Sequence, residues 1–132
     1  MKCLDTPLLE DLLLGRKRAR AWMEGLSGGA ELATTEVNLY ELALGARRTR
    51  GRRAFLARLR ALEEVRKALT VLPLDAEASR KAGELLTGPE GAGEGLGTLV
   101  AAICLVHGVD EIHTSQRRKF PRGLGALKVV RV

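Results

Sequence analysis

Short strand-like segments alternate with helical segments along the whole chain, and this alternation restricts its fold more than any other feature. Five segments predict strands, at residues 2–5, 31–36, 70–74, 111–114 and 126–132. Strands separated by helices usually run parallel, and a parallel sheet needs cover on both faces. The length of 132 residues suits one domain. We therefore predict an α/β fold over residues 1–132, with a mostly parallel sheet of about five short strands flanked by helices on both faces.

Helical patterns fill the intervals between these strands. Thr6 and Pro7 stand where an N-cap and a first helical residue are expected, and Asp75 is a good N-cap for a later helix. Residues 98–108 are apolar on every side and predict a fully buried helix. The glycine-rich residues 87–97 predict a loop. The predicted helices cover residues 7–14, 16–26, 37–45, 50–69, 76–86 and 98–108.

Positive charge is concentrated in three parts of the chain, and the net charge is +6. Such clusters attract a polyanion or an acidic protein, although solvated helix faces would explain each of them equally well. Aromatic residues make up only 3% of the chain, so bases have few rings to stack on, and phosphate contacts should dominate any binding of nucleic acid. The three clusters lie within residues 16–20, 47–60 and 117–122.

The apolar segments predict no association with a membrane. None reaches the roughly 18 residues that suggest a membrane span, and Asp5 interrupts the opening residues where a signal peptide would be apolar. Cys3 and Cys104 lie within apolar segments and predict buried thiols, whereas a zinc site would need more ligands at short spacing. These features favour a cytoplasmic protein.

Asp5 is the first candidate for chemistry, because it follows the first predicted strand directly. Thr114 ends the fourth strand, and ligands of parallel sheets bind beyond the carboxyl ends of the strands. If these two strands are neighbours, both residues face one crevice. The alternative role for Asp5 is to cap the following helix, but Thr6 would do that equally well.

Glu41 is the second candidate, in an otherwise almost wholly apolar helix. Asn38 and Glu41 are three residues apart and share a stripe with Gly45. The stripe faces either water or the crevice beside Asp5, and spacing does not decide between the two.

The order of these motifs resembles the PIN-domain proteins, and specifically the VapC-like toxins of prokaryotic toxin–antitoxin pairs. "LDTPLLEDLLLG" resembles the opening of that family, and "TTEVNLYELALGA" is similar to its second acidic motif. "VLPLDAEASRKAGELL" is similar to its middle strand and helix, and the chain from "LGTLVAAICLVHG" onward to its final third. The resemblance implies metal-dependent cleavage of RNA, with acids at the strand ends that hold Mg²⁺ or Mn²⁺.

The resemblance assigns two roles and exposes two gaps. Asp5 and Glu41 would be the catalytic residues and metal ligands. The third acid should stand at Gly97, and a further polar ligand at Gln116, while Pro7 replaces the usual asparagine after Asp-Thr. We therefore expect weak binding of one ion at most.

Further residues follow from the same resemblance. Glu94 is a possible substitute ligand, although a solvated loop glutamate is the more common case. Arg117 and Arg118 would contact RNA phosphates. The residues predicted to line the site are Thr6, Gly97, Thr114, Ser115 and Gln116.

Three functions remain open at this point. The chain is an active PIN-type endoribonuclease that resembles the VapC-like toxins and is weakened by Gly97 and Gln116, a degenerate PIN domain that no longer cuts and binds RNA or an antitoxin-like partner, or a small basic α/β binding module unrelated to the family. The family also implies a homodimer and a small antitoxin, for which the leucine-rich first helices offer an apolar contact surface.

Overall fold

Five parallel strands form a single sheet in the computed structural model of the protein, which describes residues 1–26, 28–87 and 95–132. The strand order is β3-β2-β1-β4-β5, and every adjacent pair is parallel. The predicted α/β fold and parallel sheet are confirmed. The strands are β1 Lys2–Leu4, β2 Leu32–Thr35, β3 Thr70–Leu72, β4 Glu111–Thr114 and β5 Lys128–Arg131.

Six helices and one short 3₁₀ turn connect the strands in the described residues. Two predicted boundaries are wrong. The glycine-rich loop was predicted to reach residue 97, but α6 already begins at Gly95. The helix predicted to end near Gly45 is α3, which continues to Arg47. The last helix is apolar, but no helix in the described ranges is long and apolar enough to cross a membrane. The elements are α1 Thr6–Leu13, α2 Lys17–Glu24, α3 Glu36–Arg47, α4 Arg52–Ala68, α5 Ala76–Thr87, α6 Gly95–Val106 and the turn Arg117–Lys119.

The sheet separates two hydrophobic cores, because successive strand residues point to opposite faces. Cys3 of β1 packs with α5 and α6, and the neighbouring Leu4 packs with α1, α2, α3 and α4. Cys3 and Cys104 are both fully buried free thiols, as predicted. Contact with the Cys104 thiol, followed by burial, raises the pKa of Cys3 well above its ordinary value. Both faces of the sheet therefore carry helices.

A chain of polar contacts attaches α2 to the sheet. The indole Nε1 of Trp22 donates to Nδ1 of His113 at 2.9 Å, and Nε2 of His113 lies 2.8 Å from Glu111 Oε2. These partners require the tautomer that carries its proton on Nε2. The same contact with His113 lowers the pKa of Glu111.

The position of β1 between β2 and β4 builds the crevice. Leu4 pairs with His113, and the N–H of Asp5 donates to the His113 carbonyl at 3.0 Å. The carboxyl ends of these strands therefore meet, and Asp5 and Thr114 lie side by side, as the sequence predicted for neighbouring strands.

Candidate functional site

Asp5 is a fully buried carboxylate that accepts hydrogen bonds from three side chains. Its Oδ1 accepts from Asn38 Nδ2 at 2.9 Å and from Lys119 Nζ at 2.9 Å, and its Oδ2 accepts from Thr114 Oγ1 at 2.7 Å. Asp5 occupies the N-cap position of α1, but its side chain makes no capping bond. Thr6 is the first helical residue and not the cap that we predicted. The Asp5 carboxylate therefore makes its hydrogen bonds inside the crevice and none to the start of α1.

Glu41 reaches the same point from α3. Its Oε1 accepts from Thr6 Oγ1 at 3.0 Å and lies 3.3 Å from Lys119 Nζ. The side chain of Glu41 is 22% exposed, so it closes the crevice on the solvent side. The polar stripe of α3 therefore faces the crevice, and Asp5 and Glu41 meet at one shared ammonium group.

Asn38 holds this arrangement in place through the start of α3. Its backbone N–H donates to Thr35 Oγ1 at 3.2 Å, and its Oδ1 accepts from the backbone N–H of Thr35 at 3.2 Å, which completes a reciprocal cap. The same Oδ1 also accepts from Thr35 Oγ1 at 2.7 Å. With Oδ1 used this way, Nδ2 points to Asp5 Oδ1 and, at 3.1 Å, to Thr6 Oγ1. The helix cap and the acidic crevice are one hydrogen-bonded network.

Lys119 is the functional residue that the sequence did not reveal. It belongs to the third basic cluster, which predicted a surface position, yet its side chain is only 7% exposed and lies against both carboxylates. The one available signal was indirect, since two expected ligands are absent and a cationic run follows the fourth strand. Nothing in that run shows which side chain the 3₁₀ turn directs inward.

Gly97 lies in the first turn of α6, where the family pattern expects the third acid. A Cβ at this position would lie 2.7 Å from both the carbonyl carbon and the Cγ of Lys119, and closer still to the carbonyl oxygen. Real Cβ atoms do not approach other heavy atoms this closely, so the backbone of the turn excludes any side chain here.

The other predicted lining residues divide between two places. Thr114 contacts Asp5, while the exposed Gln116 lines an open cleft of about 600 Å³ together with Glu41 and Lys119. Ser115 lies on a separate small pocket beside Leu8. Arg117 and Arg118 are exposed on the turn that carries Lys119. Glu94 falls outside the described residues.

The residues of the crevice do not fit a divalent ion as they are arranged. Mg²⁺ and Mn²⁺ need several oxygen ligands around an open position. Here an ammonium group contacts both carboxylates in that position, and within the described ranges no group of three or more His, Cys, Asp and Glu side chains converges. The crevice is an internal ion-pair triad of Asp5, Lys119 and Glu41.

Comparison with models of known protein families identifies the family of this chain. The PIN domain family model matches residues 2–122. The chain belongs to the PIN-domain family. Curated protein sequences gave no match to it.

Solved PIN-type structures share this fold at low identity. FitAcB from Neisseria gonorrhoeae superposes with a TM-score of 0.79 at 18% identity, over 98% of this chain and 96% of that chain. VapBC2 from Rickettsia felis, bound to a DNA fragment from its promoter, gives 0.76 at 14% identity, over 99% and 98%. VapC20 from Mycobacterium tuberculosis, described as a sarcin–ricin loop cleaving toxin, gives 0.63 at 19% identity, over 85% and 87%. At such identities the comparison shows the PIN fold alone.

Proposed function

We propose that this chain is a VapC-like PIN-domain protein in which Lys119 takes the place of the divalent ion. It does not cleave RNA, and its retained function is to bind an antitoxin-like protein. The observation that carries the proposal is the contact of one ammonium group with both Asp5 and Glu41.

The charges in the crevice support a site that does not bind a metal ion and does not cleave RNA. An ion between the two carboxylates would lie next to the Lys119 ammonium. Two unit charges about 4 Å apart interact by about 4 kcal/mol at an effective dielectric constant of about 20, and a doubly charged ion doubles that repulsion. Lys119 is also part of the chain, so it fills the position at any concentration of free metal.

The two missing ligands weaken catalysis further. Gly97 has no side chain, and Gln116 carries no charge. Loss of one well-placed catalytic interaction often slows a reaction ~10²-fold or more, so losing two of them leaves little activity even if Lys119 moved aside.

The partner part of the proposal is supported by the relatives and by exposed leucines. The structure of VapBC-5 from Mycobacterium tuberculosis, 20% identical and with a TM-score of 0.68, is described as a member of a toxin–antitoxin family. In this chain Leu13 and Leu14, at the end of α1, are 43% and 59% exposed. They offer an apolar surface to a partner segment. The proposal includes a homodimer and a cytoplasmic location.

An RNA cleavage assay with Mg²⁺ or Mn²⁺ tests whether the site is inactive. The wild-type chain and Asp5→Asn, which keeps the shape of the side chain, should both show only background cleavage. Metal-dependent cleavage by the wild type that disappears in Asp5→Asn would overturn the proposal.

Co-expression with small antitoxin-like proteins tests the partner. A complex should survive gel filtration and be lost in the Leu13→Glu/Leu14→Glu variant, while Leu56→Glu on α4, where Leu56 is 40% exposed, serves as the control. Failure of the wild-type chain to form a complex would contradict this part.

A weak endoribonuclease is the second candidate. It is favoured by the convergence of Asp5 and Glu41 beside an open cleft, and by Arg117 and Arg118, which stand exposed near that cleft for contact with RNA phosphates. In that case the Lys119 side chain must leave the crevice before an ion enters. The cleavage assay above distinguishes the two candidates.

A further inference from the structure

The turn between α3 and α4 carries the densest positive charge in the chain. Five of the seven residues from 47 to 53 are arginine, and all five are exposed. Arg58 and Arg60 continue the positive charge along α4, and Glu63 and Glu64 end it. We call the first group the arginine corner, and its members are Arg47, Arg48, Arg50, Arg52 and Arg53.

No described carboxylate neutralises the arginine corner. Within residues 1–26, 28–87 and 95–132, none of its guanidinium groups forms an ion pair. Glu10 of the neighbouring α1 lies beside Gly45 and Arg58. By contrast, Arg66 farther along α4 makes two hydrogen bonds to Glu36, at 2.8 and 3.1 Å. The corner thus presents positive charge without an ion-pair partner, whereas Arg66 and Lys67 at the other end of α4 are paired.

Part of this charge opposes the stability of its own helix. Arg52 and Arg53 are the first two residues of α4, where the positive end of the helix dipole disfavours cations. The first turn contains no acid, and Gly51 at the N-cap has no side chain to accept a hydrogen bond. Helix stability favours acids at these two positions, so the stability of α4 does not account for Arg52 and Arg53.

One contact between the two helices, a hydrogen bond at the end of α3 and a glycine turn fix the shape of the corner. The Arg47 guanidinium lies 5.2 Å from the centre of the Phe55 ring, which attracts cations through its face. Thr49 Oγ1 donates to the Gly45 carbonyl at 2.9 Å, and Gly51 turns the chain with a φ of 89°. The arginines are therefore displayed on a turn of defined shape.

We infer that the arginine corner binds the phosphodiester backbone of a nucleic acid, at a surface separate from the acidic crevice. Guanidinium groups hold phosphate oxygens through paired hydrogen bonds, and the closely spaced charges of a polynucleotide engage several neighbouring arginines at once. The low aromatic content leaves phosphates as the main contact. Arg47 is six residues after Glu41, roughly 9 Å along the helix axis, so a bound strand lies near the crevice.

Fluorescence anisotropy with a labelled single-stranded RNA, and with DNA of the same sequence, tests this inference in EDTA. The test variant is Arg48→Gln/Arg50→Gln/Arg52→Gln, which spares Arg47 and its contact with Phe55. The control is Lys17→Gln/Arg18→Gln/Arg20→Gln, which removes the same charge from exposed residues of α2. Thermal melting of both variants checks that they fold, since surface substitutions change stability by about 0.5 kcal/mol or less.

The expected result is a loss specific to the corner. The test variant should bind about tenfold more weakly or worse, and the slope of log K against log salt should fall by about 2, at ~0.7 per phosphate contact. Corner-dependent binding of RNA, DNA or both supports the inference and identifies the nucleic acid.

Three outcomes overturn it. They are the absence of binding at low salt, an equal loss in the α2 control, and a corner-dependent affinity for polyglutamate that exceeds the affinity for RNA and for DNA at equal charge, which indicates an acidic protein as the partner. Because EDTA removes metal, none of these outcomes depends on whether the crevice cleaves RNA.

Discussion

The backbone carbonyl of Lys119 lies over the Cα of Gly97, in the space that a side chain at position 97 would need. The atoms of Lys119 nearest to a Cβ there belong to the backbone and to Cγ, so they do not give way as the end of a long side chain would. The packing that brings the Lys119 ammonium to Asp5 also excludes an acid at position 97. The absence of a side chain at position 97 and the inward direction of Lys119 therefore depend on the same packing.

Gly97→Ala should destabilise the protein by about 1–3 kcal/mol, because the added methyl overpacks the site. Gly83→Ala is the matched control, since Gly83 lies inside α5 and no atom of the described residues would lie within 4 Å of a Cβ there. That substitution should stabilise the protein by roughly 0.5–1 kcal/mol through helix propensity. Urea unfolding measures both values. Equal gains in the two variants would show that the turn at Lys119 moves away easily.

Lys119→Met should cost about 3–5 kcal/mol, because it leaves the fully buried Asp5 carboxylate without its cation. The double variant Asp5→Asn/Lys119→Met should recover much of that loss, since an amide carries no charge that needs compensation. A double-mutant cycle by urea unfolding gives the coupling energy. Additive effects would mean that the two side chains do not depend on each other.

Lys119→Ala should allow the crevice to bind one divalent ion. It removes the ammonium from between Asp5 and Glu41, and one or two carboxylates with water ligands suffice for Mg²⁺. Isothermal titration with Mn²⁺ should show no binding to the wild type and one weak site in the variant, with a higher melting temperature in Mn²⁺. Lys128→Ala, which removes an exposed charge from β5, is the control. Wild-type binding as tight as that of the variant would contradict the role given to Lys119.

Trp22→Phe should destabilise the protein by about 1–3 kcal/mol, because it leaves the buried Nδ1 of His113 without a donor. Phenylalanine is smaller than the indole that packs against the second core, so the loss combines the hydrogen bond with some lost packing. Thermal or urea unfolding checks the value. Unchanged stability would indicate that water replaces the indole at His113.

Stability should fall in acid partly through Glu111. His113, and then Lys2 and Lys128, hold the pKa of this carboxyl below its ordinary value of 4.5. The folded state therefore binds the proton less readily than the unfolded state. The stabilisation is complete above pH 4.5 and is lost as the pH falls below it. Glu111→Gln should be less stable than the wild type at neutral pH, and the difference should shrink in acid. Parallel curves of stability against pH would exclude this contribution.

Much of the fold was predictable from the sequence, because the alternation of strand-like and helical segments and the spacing of apolar residues are local signals. All five strands lie where they were expected, and β4 has the predicted bounds, Glu111–Thr114. The meeting of Asp5 with Thr114 was also predictable once neighbouring strands were assumed, since parallel strands end at one edge.

The content of the crevice was not predictable in the same way. The inward direction of Lys119 depends on a three-residue 3₁₀ turn and on its close approach to Gly97, and both are tertiary contacts without a local pattern. Gly97 was predicted to belong to the glycine-rich loop, although it lies in α6. Glycine has low helix propensity, which conceals a helix start that is stabilised by packing.

Lys119 and Asp5 are 114 positions apart along the chain. The strand that Asp5 follows pairs with β4, so the central part of the sheet cannot close until β4 has been synthesised. Contacts between such distant segments slow folding, because the entropy of closing a long loop is lost before the contact forms. A nascent chain that stops short of residue 119 therefore holds an acid that must stay in water, and the central strand docks late.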